Sequence, residues 1–359
     1  MVATQTGPES FRERWTRRSL SFGGYALAWL VLTFLLPLAL IVTLALDTAT
    51  DRRLPRTRAL LFGWAYLACE WAGLLASLAL WLASPLAGGE RLVAWHYALQ
   101  GAWAGTLLAA AMRLFSFRLH VTGDERVRPG PVLVFVRHAS LADTPLSAVF
   151  LGRRHGMRLR WVMKRELLWD PCLDVVGQRL PNVFVRRGSG ESAQEIAALA
   201  RLAQGMGAGD GLVIYPEGTR FTAAKQAARL RAIEASGDAE RLARATRLRH
   251  VLPPHYGGPL GLIDACPEAD LLIVAHVGFE GIARFGDALG GALIGARVEV
   301  GCWRIAADAI PRDATARRRW LDAEWARVDD WIDERLADRG AHKAMAAASQ
   351  ARSGLPVGS

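Results

Sequence analysis

The chain has 359 residues, 52% of them hydrophobic, with 44 Lys and Arg against 34 Asp and Glu, for a formal net charge of +10. That length holds one sizeable domain plus added segments, because single cores stop growing near about 250 to 300 residues; the apolar excess gathers in the first third and points to a membrane. The basic charge suits anionic lipid or nucleic acid, but no zinc-finger spacing, basic heptad helix or aromatic-basic RNA-binding signature accompanies it, so no nucleic-acid partner is expected.

Residues 1–18 read as a basic N-terminal arm, with Arg12, Arg14, Arg17 and Arg18. The run Tyr25 to Leu46 that follows is uncharged and long enough to cross a hydrocarbon core of about 30 Å. It is too long for a cleaved signal peptide, and Pro37 within it is tolerable in a membrane helix. A second apolar stretch from Ala59 to Ser84 contains only one charge, Glu70, for which packing against a neighbouring helix is the simplest account. A third, Leu92 to Met112, spans, re-enters or lies at the interface. Residues 19–117 are thus a membrane region of two or three hydrophobic helices. The positive-inside rule gives a tie, because the arm and the loop from Asp47 to Arg58 carry four Arg each.

After Phe117 short β-rich runs alternate with helical stretches: Val132 to Val136, Arg160 to Met163, Val183 to Val185, Leu212 to Tyr215 and Leu271 to Val277. This pattern predicts an α/β domain over 118–339 with a mostly parallel or mixed sheet. Thr222 to Arg249 is helical, with Arg241, Arg244, Arg247 and Arg249 as a solvated face or a headgroup contact. Leu321, Trp325, Val328, Ile332 and Leu336 recur at three- and four-residue steps, so an amphipathic helix from Ala314 to Leu336 packs on the domain. Residues 340–359, small and polar, read as a flexible tail. The four cysteines are far apart with no CxxC pair, which suits packing in a reducing compartment.

His138 directly follows the apolar strand Val132 to Val136, one residue on, and Asp143 starts the next helix. An Asp so placed accepts a hydrogen bond from the imidazole, fixes its tautomer and leaves the other ring nitrogen free to take a proton from a substrate hydroxyl. A second strand runs into Glu217-Gly218-Thr219-Arg220, a loop whose glycine, hydroxyl and guanidinium suit a phosphate. A third ends in Arg186 and Arg187, a second clamp on the same phosphate, and Lys164 follows a fourth. The rivals are a lipid hydrolase, for which Ser140 has no G-x-S-x-G elbow, and a non-catalytic lipid-binding membrane protein that keeps the His and Asp as structure.

These blocks, in this order from Gly123 to Gly281, resemble the glycerolipid acyltransferase family, in particular the lysophosphatidic acid acyltransferases (1-acylglycerol-3-phosphate O-acyltransferases). His138 and Asp143 fall on the H-x4-D motif, Lys164 to Leu167 on a K-x-E-L segment, Arg187 on the Arg closing the second block, and Glu217 to Arg220 on E-G-T-R. Two positions depart from the pattern: Arg137 stands where Asn is common before the His, and the run through Ala275 and His276 lacks the usual Pro of the fourth block. The resemblance implies a glycerolipid-acyltransferase-like α/β domain behind N-terminal transmembrane helices. It implies His138 as general base oriented by Asp143, and Lys164, Arg187, Glu217, Gly218, Thr219 and Arg220 as substrate-binding residues. The acyl donor would be acyl-CoA or acyl carrier protein and the acceptor a lysophospholipid, most simply lysophosphatidic acid, with another lysolipid as the alternative. No cofactor and no metal are implied. The protein is expected in the bilayer with its catalytic domain on the cytoplasmic side, the inner membrane if bacterial.

Overall fold

The computed structural model describes residues 9–185, 193–280 and 285–353. Helix α1 (Phe11–Thr50) begins inside the stretch expected to be a basic arm. Ser10 caps it: the Ser10 hydroxyl accepts the Glu13 N–H and the Glu13 carboxylate takes the Ser10 N–H, a reciprocal pair that satisfies two orphaned donors. Arg17 and Arg18 are not free arm charges either. Their guanidinium groups lie 3.1 and 2.7 Å from the buried carboxylate of Asp174, and Ser21 donates to the carbonyl of Trp169, so the start of α1 is pinned to the α/β domain.

Helices α2 (Pro55–Ala83) and α3 (Gly89–Phe115) follow the second and third apolar stretches. Among the described residues, α1 and the segment Pro55–Leu86 are long and apolar enough to cross a membrane. At about 1.5 Å per residue α1 is about 60 Å long, twice a hydrocarbon core. Glu70, the one charge in the second stretch, is fully buried rather than turned to lipid. It accepts the Trp103 indole N–H of α3 at 2.9 Å and the Cys172 backbone N–H at 3.0 Å, so it joins two helices to the domain.

Seven strands form one sheet in the order β1-β7-β6-β2-β5-β3-β4. They are β1 (Arg118–Thr122), β2 (Val132–Val136), β3 (Arg158–Lys164), β4 (Val183–Val185), β5 (Asp210–Ile214), β6 (Asp270–Val277) and β7 (Arg297–Ile305). All pairings are parallel except β6 with β7. The five strands expected from the sequence are present, and β1 and β7 are added at one side. Every residue of β2 and β5 is buried, as a parallel sheet covered on both faces requires.

One face packs on α3 and on the short helix α4 (Asp143–Ser147), which widens into a π-helical turn over Ala148–Arg154. The shorter helices α5 (Pro171–Val175), α6 (Ala193–Ala203), α7 (Ala223–Ala235), α8 (Ala239–Ala245) and α9 (Gly257–Ala265) complete the connections, and α6 and α9 cover the other face with α10 (Ala314–Ser353). Leu321, Trp325, Val328 and Ile332 are fully buried along α10, on the stripe their spacing predicts. The helix does not stop near Leu336: it runs through residues read as tail to Ser353, and 354–359 lie outside the described residues. The segment Ala344 to Ala348 is rich in the best helix former, which explains the continuation. In the Arg-rich stretch, read as a solvated face or a headgroup contact, Arg244 bonds Asp322, Arg249 bonds Asp333, and Arg241 bonds the Pro254 carbonyl over the Tyr256 ring.

Candidate active site

Strand β2 lies at the middle of the sheet between β5 and β6, and its carboxyl end opens into the crevice where ligands of such sheets bind. His138 and Asp143 meet there. The His138 Nδ1 is 2.9 Å from Asp143 Oδ2, and the backbone N–H groups of Ala139 and Ser140 donate to the same oxygen at 2.8 and 2.9 Å. Asp143 therefore fixes the loop as well as the imidazole. Its acceptor position requires the hydrogen on Nδ1, and His138 Nε2 makes no hydrogen bond among the described residues.

Ser140 is placed as a prop. Its hydroxyl is buried and donates to Asp143 Oδ1 at 2.6 Å, so it is engaged by the carboxylate and not by the imidazole that a nucleophilic Ser would need.

Tyr215, just past β5, stacks on the imidazole with ring centroids 4.3 Å apart and 28° between planes, and its hydroxyl meets Thr144 at 3.0 Å. The sequence places Tyr215 at the end of a strand and gives it no role in the site, although its position directly before Pro216 and the acid-glycine loop is a signal. Glu217 is fully buried and does not line the cavity. One carboxylate oxygen takes the His138 backbone N–H at 2.8 Å and the other the Leu252 N–H at 2.9 Å, so this residue, expected to bind substrate, instead braces two loops beneath the site.

Gly218, Thr219 and Arg220 do line the cavity, together with Lys164 at the end of β3 and His138 itself. Gly218 holds φ at +66°, and a Cβ there would meet the His255 ring at 2.9 Å. The Phe221 N–H donates to the His138 carbonyl at 2.9 Å, which ties this loop to the base. Lys225 bonds the Thr219 hydroxyl and the Arg220 carbonyl, adding a further cation that the sequence did not single out. Arg187 and its neighbours 186–192 lie outside the described residues.

Burial lowers the pKa of His138, and the nearby charges of Arg220 and Lys164 lower it further, against the opposing pull of Asp143. For Asp143, burial works upward but the imidazoles of His276 and His138 hold it well below the usual carboxylate range. Burial pushes Glu217 up to about 8 in spite of its two N–H donors. The site so holds an ionised Asp, an imidazole biased to its neutral form and at least two cations, the pattern of a general base beside an anion site.

The cavity has a volume of about 1140 Å³, larger than a usual small-ligand pocket of roughly 300 to 1,000 Å³. Most of its wall is apolar, including Ala104, Leu107, Leu108 and Ala111 of α3, with Phe115, Phe117 and Phe279. Charged and polar residues and an apolar trough thus share one space around His138.

Residues 118–256 match the family described as Acyltransferase. The crystal structure of the 1-acyl-sn-glycerophosphate (LPA) acyltransferase PlsC from Thermotoga maritima is similar to this chain at 12% sequence identity and a TM-score of 0.45, over 74% of this chain and 97% of that one, a likeness too loose to transfer any residue's role. No curated protein matches the sequence. The chain thus carries an Acyltransferase family domain across residues 118–256, from the first strand to the end of the loop before α9.

Proposed function

We propose that the protein transfers a fatty acyl group from an acyl thioester, acyl-CoA or acyl carrier protein, to the free hydroxyl of a lysophospholipid, with lysophosphatidic acid as acceptor and phosphatidic acid as product. The observation that carries this reading is the joining of the His138–Asp143 pair with Lys164 and Arg220 on one cavity that continues into an apolar trough along α3. A phosphate monoester would sit on the cations, with Gly218 allowing close backbone approach. The acyl chain would lie along Ala104, Leu107 and Leu108.

In the reaction His138 Nε2 takes the proton of the acceptor hydroxyl as that oxygen attacks the thioester carbonyl. The tetrahedral oxyanion collapses with departure of the thiolate, which receives the proton from the imidazolium, so the base is returned neutral. Asp143 keeps the ring in the tautomer that leaves Nε2 open and stabilises the imidazolium formed between the two steps. The apolar helices α1 and α2 support membrane attachment near the bilayer that holds the acceptor, with the catalytic domain on the cytoplasmic side where acyl thioesters occur.

Purified full-length protein in detergent, given labelled acyl-CoA with lysophosphatidic acid, lysophosphatidylcholine or lysophosphatidylethanolamine, tests the acceptor. Phosphatidic acid as the dominant product supports the reading. Equal use of the headgroup-bearing lysolipids would defeat the phosphate-monoester assignment while leaving acyl transfer intact.

A further inference from the structure

His276 lies near the end of β6, fully buried, beside the catalytic loop. Its Nε2 is 3.1 Å from Asp143 Oδ1 and 3.2 Å from the Arg137 carbonyl oxygen. Both neighbours are acceptors, so Nε2 carries the hydrogen; it is hydrogen-bonded to the Arg137 carbonyl and stands within ion-pair distance of Asp143 Oδ1. Its other nitrogen, Nδ1, is buried with no hydrogen-bond partner among the described residues. A ring kept only to fill space would be served as well by Phe, without the penalty of an unmatched buried nitrogen. The one feature that distinguishes His at this place is the Nε2 donor.

That N–H, 3.1 Å from Oδ1, also completes the polar surroundings of Asp143. Oδ2 is occupied by His138 and two backbone N–H groups, whereas Oδ1 has only the Ser140 hydroxyl and His276. The His276 backbone is itself held, because the Arg137 guanidinium donates to its carbonyl, to the His250 carbonyl at 3.0 Å and to Glu280 at 2.7 Å. Arg137 and His276 therefore grip each other reciprocally across β2 and β6. Among the described residues, the other ionisable groups facing this unit include Glu217 and Tyr215 beneath and beside His138, with Lys164 and Arg220 on its cavity side.

We propose that His276 is a positioning residue for acyl transfer: through Oδ1 it fixes the plane of the Asp143 carboxylate and draws off part of its negative charge, setting both the orientation and the basicity of His138. This rests on the general-base reading of His138. Loss of the donor lets the carboxylate pivot and concentrates its charge on the His138 side. The imidazolium is then over-stabilised, so His138 stays protonated to higher pH.

The test is kcat, both KM values and the pH profile of kcat/KM for His276→Gln, His276→Asn and His276→Phe in the full chain. Gln can reach Asp143 with an amide N–H, Asn is too short, and Phe has no donor. Near-normal kcat in Gln is expected, with kcat down about tenfold in Asn and Phe, a part of the roughly 10² to 10⁴ a positioned base supplies. The acid limb in Asn and Phe moves to higher pH and the KM values hold. Equal losses in all three variants, or an unchanged rate and acid limb in Asn and Phe, would overturn the proposal. If Phe fails to fold, the Gln and Asn pair decides it alone. His138→Ala run alongside separates the two ideas: transfer persisting there sinks the general-base reading, whereas transfer lost there but untouched by loss of the His276 donor removes only the role of His276.

Discussion

The carboxylate of Glu217 accepts the backbone N–H of His138 at 2.8 Å, so the acid of the E-G-T-R loop holds the main chain of the base in the H-x4-D loop. Two motifs 79 residues apart in the chain are in this way one construction. The second Glu217 oxygen reaches Leu252, which draws the loop after α8 into the same brace.

Replacing Glu217 by Gln turns an NH2 group toward one of the two backbone N–H donors, leaving a donor against a donor in the interior. We expect a loss of about 1 to 3 kcal/mol in folding stability. The pH dependence carries the sign. Since burial raises the Glu217 pKa to about 8, the folded state binds the extra proton, and the stability this confers is full below the ordinary carboxyl pKa of about 4.3 and is lost as pH rises towards 8. Thermal melting between pH 4.5 and 8 should show that decline in the native protein and a flatter profile in Glu217→Gln; parallel profiles would contradict it.

Arg220→Ala should raise the acceptor KM by an amount on the order of the ~1.5 to 3 kcal/mol of a charged hydrogen bond, with less effect on the acyl donor. It also removes a positive charge that lowers the His138 pKa. The acid limb of kcat/KM, which reports neutral His138 and lies below the ordinary imidazole value, should therefore move to higher pH. Steady-state kinetics with each substrate varied in turn measure both effects, and equal changes in the two KM values would speak against a phosphate contact.

Gly218→Ala places a side chain at φ +66° and a Cβ 2.9 Å from the His255 ring. The left-handed backbone alone costs about 1 to 2 kcal/mol, and relief of the contact shifts the loop that carries Thr219 and Arg220. A lowered melting temperature with a raised acceptor KM is expected; unaltered kinetics would mean that the loop bends freely.

Much of this was legible in the sequence, for identifiable reasons. Val132 to Val136 is an unbroken apolar run because it is buried on both faces, and the stripe from Leu321 to Ile332 shows its period because α10 buries one side only. Strand β1 escaped notice because it is a five-residue edge strand with alternating burial, and the β7 strand it pairs with lies almost 180 residues later. The start of α1 was written in Ser10 and Glu13 as a capping box but was obscured by the Arg that surround it. In the site, His138, Asp143 and Arg220 announced themselves by residue type at strand ends. His276 did not, since its position opposite Asp143 follows from the pairing of β6 with β2, which no local spacing encodes.

Asp174→Ala should detach the start of α1 from the domain. It leaves Arg17 paired with Glu9 alone and removes the carboxylate of α5 that Arg17 shares with Arg18, a loss of about 1.5 to 3 kcal/mol. Limited proteolysis within α1 and thermal melting in detergent check this, and a variant as protected and as stable as the native chain would show that the contact contributes little.

The most direct test is single-turnover acyl transfer from labelled acyl-CoA to lysophosphatidic acid by the native protein and by His138→Ala at equal, saturating occupancy of both substrates. Transfer in the native protein that falls by at least about a hundredfold in His138→Ala, with donor and acceptor still bound, is the result predicted for a general base. Transfer at the native rate in His138→Ala would contradict the account.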